Sequence, residues 1–264
     1  MVPDGLWEIA RHLIPPSRVR PQGGGTQATP DETLFAAIIY VLVSGCSWRA
    51  LPPCFGVSKS TVHRCFMIWS RAGVWGQFHE AVVHRLDDAG LIDVCRVVLD
   101  SAHVRAKKGA PHTGPSPVDR GKPGSKMHIL SDANGLPLVV GIFAANVHDS
   151  LALKPVVVGH QTRHDPHRGR YIKPLRLHAD KAYDVPHLRK WLWGKHIGVR
   201  IARKGIEPSE WLGRRRWVIE RTMSWLSGYH CLSPRYERQP SSYMAFLGLA
   251  AALCCYKRLV RLTT

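Results

Sequence analysis

At Cys95 the chain changes its pattern, and that change limits the available folds more than any other feature. Arg96–Val104, with Val97, Val98 and Leu99 leading into Asp100, reads as a strand. Lys126–Ser131 reads as a second strand and Leu136–Ala144 as a third. Asp132-Ala133-Asn134-Gly135 between them has the residues of a hairpin turn. Helix and strand then alternate: a helix over Ser150–Val158, a strand over Leu175–Ala179, a helix over Val185–Lys195 and a strand over His196–Ala202. Trp211–Ser227 and Ser242–Leu262 read as closing helices. Three antiparallel strands followed by this alternation predict a mixed α/β sheet covered on both faces. Ala106–Lys126, rich in Pro, Gly and Lys, reads as a mobile basic loop, and Gly159–Lys173 as a polar one.

Ahead of Cys95 the pattern is helical. Gly5–Leu13 and Asp31–Ser44 read as helices, separated by a Gly/Pro-rich loop at Arg18–Pro30. Phe55–Val62 has the form of a helix-turn-helix core. Gly56 supplies the tight turn, Ser58 can cap the second helix, and Val62 and Phe66 at i and i+4 pack it inward. Lys59, Ser60, His63 and Arg64 then face outward toward a DNA groove. An ordinary helical hairpin is the alternative, since Pro52-Pro53 interrupt the place of the first helix. The organisation expected is a helical DNA-binding part over residues 1–94 and an α/β part over 95–264.

Charge follows the same boundary. Of 37 Lys and Arg against 19 Asp and Glu, residues 1–94 hold 8 basic and 8 acidic side chains. The formal excess of +18 lies wholly downstream, where 29 basic residues meet 11 acids. Such a domain points to a polyanion, nucleic acid before an anionic membrane. The apolar content of 45% excludes a disordered basic tail. Seven scattered cysteines without a CxxC pair argue against a zinc ribbon or a disulfide framework, and for reduced thiols in a cytosol. No signal peptide opens the chain. The longest apolar stretch, Tyr243–Tyr256, is shorter than a membrane span and reads as a buried core helix.

With so few acids, each one downstream calls for a reason. Asp100 interrupts an apolar strand, where an unpaired carboxylate is costly. Its ordinary alternative is a pair with Arg105 or Lys126. Asp180 ends a strand, the position at which ligands collect in α/β sheets. Its alternative is a helix cap, a role that Asp184 fits better. Glu220 sits mid-helix, where an i,i+4 pair with Arg216 is the alternative. Together, three carboxylates on adjacent elements could hold two Mg²⁺ ions for chemistry at phosphorus. Lys126 and His128 alternate along one strand and share a face. By itself that face reads as a solvent-facing strand edge. His103 and His178 lie near the aspartates, but the spacing does not require them as ligands, and a zinc site is the lesser option.

At these residues the chain resembles the bacterial insertion-sequence transposases with an Asp-Asp-Glu active site, the family typified by insertion sequence five. The resemblance runs through Gly45-Cys46-Ser47-Trp48-Arg49, Leu99-Asp100-Ser101, Gly124–His128, Asp132–Leu138, Val147-His148-Asp149, Asp180–Asp184 and Trp217–Thr222. It implies an RNase H-like catalytic domain with Asp100, Asp180 and Glu220 as catalytic and metal-binding residues, using Mg²⁺ or Mn²⁺. It also implies a homodimer on double-stranded DNA, binding transposon ends and target, in the bacterial cytoplasm at the nucleoid. For the face shared by Lys126 and His128, the resemblance implies a place near DNA or the active site instead of a solvent-facing edge. The family's third block places Tyr, Arg, Glu and Lys at positions 213, 216, 220 and 227, which share one helical face. Arg216 and Glu220 fit, whereas Gly213 and Ser227 replace the Tyr and Lys. Arg214, Arg215 or Arg221 can substitute as DNA contacts beside Arg216. The rival functions are a DNA-binding regulator or inactive remnant without catalysis, and an RNase H-like nuclease that cuts without joining.

Overall fold

The structure is a computed structural model, and it describes residues 5–16, 29–161, 173–203, 205–206 and 209–263. The helices are α1 (Leu6–Ala10), α2 (Asp31–Ser44), α3 (Lys59–Arg71), α4 (Val74–Asp88), α5 (Ser150–Gln161), α6 (Pro186–Gly194), α7 (Ser209–Ser227) and α8 (Pro240–Thr263). The strands are β1 (Val97–Arg105), β2 (Gly114–Pro115), β3 (Pro123–Ser131), β4 (Pro137–Ala144), β5 (Arg176–Ala179) and β6 (Gly198–Ile201). They form one mixed sheet in the order β4-β3-β1-β5-β6, with β2 also paired to the start of β3. β1, β3 and β4 are antiparallel neighbours. β5 and β6 join parallel to β1, each reached through a helical connection as parallel pairing requires. A mixed sheet flanked by helices, preceded by a helical N-terminal region, is the fold class expected of the sequence.

In the helical region α2 runs over the expected residues and ends at Gly45, whose φ of 68° suits a left-handed C-cap. Ser58 caps α3 by accepting the Thr61 N–H at 3.1 Å, and Val62 and Phe66 are buried. Ahead of this turn, where Trp48–Pro53 reads as a short turn segment in place of a first helix, stand two short 3₁₀ turns, Trp48–Ala50 and Pro53–Phe55. Pro52 and Pro53 lack the N–H groups a helix needs, and each disfavours α geometry in the residue before it. α1 is shorter than expected. α4 occupies a stretch to which the sequence reading assigns no element.

The apolar core continues across residue 94. α8 packs along α4 and against β4, and also meets α2 and α3. Trp48 and Phe66 stack on Phe246 of α8, at centroid distances of 5.9 and 4.5 Å. By length and composition, Pro240–Arg261 is apolar enough to cross a membrane, and 67% of its apolar window is buried inside the protein. The expected core helix is therefore present, but the apolar segment is longer than the sequence reading allowed. All seven cysteines are free.

The segment between β1 and β3 departs from the mobile loop expected of it. Arg235, 1% exposed, holds it. The guanidinium donates to the carbonyls of Pro111 and His112 and to Ser125 Oγ, while Ala106 bridges to Arg235 through the backbone. Most of the second expected loop, Gly159–Lys173, lies outside the described residues.

Candidate active site

β1 and β5 run parallel, with Val98 opposite His178 as the last paired positions. Two residues further on lie Asp100, within β1, and Asp180, one residue past the end of β5. Continued at that register, the two side chains would leave the same face. Asp100 is 8% exposed, and its Oδ1 accepts the Ser101 N–H at 2.8 Å. The two cations expected as its ordinary partners are engaged with other acids. Arg105 pairs with Asp119 at 3.7 Å and Lys126 with Asp149 at 3.0 Å. Asp180 does act as a cap, contrary to expectation: its Oδ1 accepts the Ala182 N–H at 2.8 Å, over a single 3₁₀ turn at Lys181–Tyr183. Asp184 does not cap α6 but takes the Arg189 guanidinium at 2.7 Å. A backbone N–H thus orients each carboxylate.

Glu220 projects differently. α7 packs against β1, β3 and α8 through a stripe that includes Val218, Ile219, Thr222 and Leu226. Thr222 Oγ1 donates to the Gly135 carbonyl at 2.6 Å and fixes the helix on the β3–β4 turn. Glu220 falls on the exposed side of the helix. Ser227 is exposed as well, whereas the side chains at 213–216, and with them Arg214, Arg215 and Arg216, lie outside the described residues. Among the described residues no group of three or more His, Cys, Asp or Glu side chains stands close enough together to hold a metal ion.

Lys126 and His128 do share a face, but it is the one opposite Asp100. In the antiparallel pairing Asp100 faces Ile129, whereas Ser101 faces His128 and His103 faces Lys126. Directly opposed residues point to the same side, so Lys126 and His128 lie with Ser101 and His103. They are also buried, 5% and 0% exposed, because β3 is an interior strand. This removes the solvent-edge alternative and leaves His128 no surface for DNA. Instead Asp149 Oδ1 gathers the Lys126 ammonium at 3.0 Å and the Ser101 hydroxyl at 3.1 Å. Lys126 also donates to the Val147 carbonyl at 2.8 Å. His128 Nδ1 lies 3.3 Å from the Tyr183 hydroxyl. Burial holds the His128 imidazole down at about 4, with Asp149 opposing and Lys126 reinforcing the shift. Burial also raises the Tyr183 phenol, and the charges of Asp149, Asp100 and Asp180 raise it further, so Tyr183 feels the acids of both faces.

Asp149 and Tyr183 are the members that sequence reasoning left without a role, although both lie in motifs that carry the family resemblance. The available signal was Lys126 itself. A lysine inside a strand needs a carboxylate, and few acids exist downstream of Cys95. On α3, Lys59, Ser60, His63 and Arg64 are all exposed.

Residues 2–79 match the family described as "Putative transposase of IS4/5 family", and residues 93–255 match the family "Transposase DDE domain". The chain is 39% identical over 170 residues to the "Putative transposase for insertion sequence element IS402" of Burkholderia cepacia, covering 63% of this chain and 77% of the relative. A second IS402 protein of 16.2 kDa from the same organism is 31% identical over 119 residues, covering 44% and 81%. Among solved structures, a piggyBac transposase synaptic complex with hairpin DNA superposes with a TM-score of 0.56 at 11% identity, covering 97% of this chain and 71% of that one. That likeness supports the RNase H-like sheet with its flanking helices. The DDE-domain match extends over more than half of the chain, and it agrees with the IS402 relatives: this chain belongs to the DDE transposases of bacterial insertion sequences.

Proposed function

We propose that the protein binds the inverted-repeat ends of its element, cleaves the phosphodiester at each end, and joins the freed 3′ end to target DNA. The observation that carries this reading is the pair Asp100 and Asp180, each two residues beyond the last paired positions of the parallel neighbours β1 and β5 and each oriented by a backbone N–H. Hard oxygen donors of this kind fit Mg²⁺, with Mn²⁺ as a substitute. Asp100 and Asp180 would hold the metal, and Glu220 would bring the third carboxylate from α7. When bound, the metal supplies charge neutralisation and a lowered pKa for an attacking oxygen. Water attacks the end phosphodiester, and the released 3′-hydroxyl then attacks a target phosphodiester in line. Double-stranded DNA is the partner, with the exposed Lys59, Ser60, His63 and Arg64 of α3 reading the end. Arg214, Arg215 and Arg216 lie on the helix that carries Glu220 and suit the backbone near the cut. Two ends must be paired, so a homodimer on DNA is the working form.

Asp100→Asn tests this directly. End cleavage with Mg²⁺ is expected to disappear while end binding persists, and cleavage retained in the variant overturns the assignment. The exposed Glu220 gives the non-catalytic regulator its one specific support. Mn²⁺ binding that is lost in Asp100→Asn excludes that regulator. A strand-transfer assay on supercoiled target separates a transposase from a nuclease that only cuts.

A further inference from the structure

A groove of about 700 Å³ opens between α7, α8 and the β3–β4 turn. Arg96, Arg221, Lys257, Arg258 and Arg261 line it, and no acidic side chain does among the described residues. It lies apart from the aspartate pair. Arg96 precedes Asp100 by four residues, roughly 13 Å along an extended strand. On α7, Arg221 sits about 100° around the helix from Glu220. The groove therefore belongs neither to the carboxylate site nor to the face formed by positions 213, 216, 220 and 227.

Its floor is prearranged. Trp217, Arg221 and Trp225 form an i, i+4, i+8 stripe on α7. The Arg221 guanidinium lies 4.8 Å from the Trp217 ring and 4.7 Å from the Trp225 ring, held between two indoles. It also donates to the Asn134 carbonyl. Trp217 remains 52% exposed, a position that packing alone does not account for. A guanidinium already fixed in place by two rings and a carbonyl loses little entropy when it grips an anion. Lys257, Arg258 and Arg261 add exposed cations from the last turns of α8.

We propose that this groove clamps the phosphate backbone of double-stranded DNA, independently of sequence. Phosphate is the ligand chemistry that five cations without an acid recognise. Arg221 already covers one face of each indole, and the cations outnumber the rings, which favours a duplex backbone over stacking on a single strand. The proposal shares with the transposase reading the expectation of a DNA partner, but it does not depend on catalysis.

The test uses the full chain and a fluorescein-labelled 20-base-pair duplex of random sequence, titrated from 50 to 200 mM salt. Loss of two phosphate contacts in the double variant Lys257→Gln/Arg258→Gln should reduce the slope of log K against log salt by about 1.8. Arg221→Gln should reduce it by about 0.9. Trp217→Leu keeps every charge, so it should weaken binding several-fold with the slope unchanged. A slope unaltered in the charge variants overturns the proposal, as does a loss seen only with single-stranded DNA, or a changed oligomeric state with DNA binding intact. Full affinity in Trp217→Leu overturns the clamp. Asp100→Asn separates the two readings, since it should leave this binding untouched. If Asp100→Asn still cuts, the catalytic assignment fails and the groove stands.

Discussion

Two charged clusters flank the aspartate pair, and they are built on opposite physical terms. Behind β1, Lys126, Asp149, Ser101, His128 and Tyr183 form a closed network under α5, with the lysine ammonium taken up by a carboxylate and a carbonyl. Beyond the start of β1, the groove cations stand in or near solvent, and its central arginine is braced by indoles instead of an acid. In the closed network, charge serves the position of the strands that carry Asp100 and Asp180. In the groove, charge is left unneutralised for a partner. A charge removed from the first should therefore change stability, and a charge removed from the second should change binding.

The largest expected effect is on the closed side. Lys126→Met strips Asp149 of its cation while leaving it largely enclosed. Breaking a buried pair from one side costs about 3 to 5 kcal/mol. Asp149 retains some exposure, which argues for the lower end of that range. Urea denaturation of the full chain reads the loss. A change below about 1 kcal/mol would mean that the ammonium is dispensable there, and the contrast between the clusters would collapse. Next comes a pH effect on the same network. The folded His128 titrates near 4, against about 6.5 when unfolded. Below pH 6.5 the unfolded chain takes up a proton that the folded chain refuses. Stability is thus fully present above pH 6.5 and falls as the pH drops toward 4, by about 3 kcal/mol in all. His103 is depressed in the same direction by burial. The difference between the wild type and His128→Gln isolates the His128 share, and parallel pH profiles for the two would contradict it.

The contrast between the clusters was only half legible in the sequence. Local chemistry could be read: Ser58 as a cap, Gly45 as a stop, Asp132–Gly135 as a turn, and Asp100 as an acid out of place in a strand. Asp132 shows how far such reading extends. Its buried carboxylate accepts N–H groups from Asn134 and Leu136 within the turn, but also from Asp93, 39 residues earlier. Pairings of that range were not legible. Lys126 and Asp149 are 23 residues apart, and only the β1–β3 register shows that both lie across the sheet from Asp100. A one-residue slip would exchange the faces, and nothing in the composition of either strand excludes it. α4 escaped for another reason. Its buried residues Trp75, Phe78, Val82 and Leu86 keep helical spacing, but it starts at Gly73 with no capping side chain to announce it. The groove needed three separated segments, 96, 217–225 and 257–261, to come together, and only the arginine and tryptophan spacing on α7 hinted at it.

The smallest expected effect is the other half of the contrast. Lys257 and Arg258 are exposed, and Lys257 lies 5.4 Å from the centre of the Tyr229 ring. Surface changes away from buried partners usually fall within about 0.5 kcal/mol. Relief of repulsion among five neighbouring cations offsets the lost ring contact. Lys257→Gln/Arg258→Gln should therefore leave the urea midpoint within error of the wild type while flattening the salt dependence of duplex binding. Should the same substitutions cost as much stability as Lys126→Met, the groove cations would be part of the core's support. The proposed division between charge that builds the sheet and charge that waits for DNA would then be wrong.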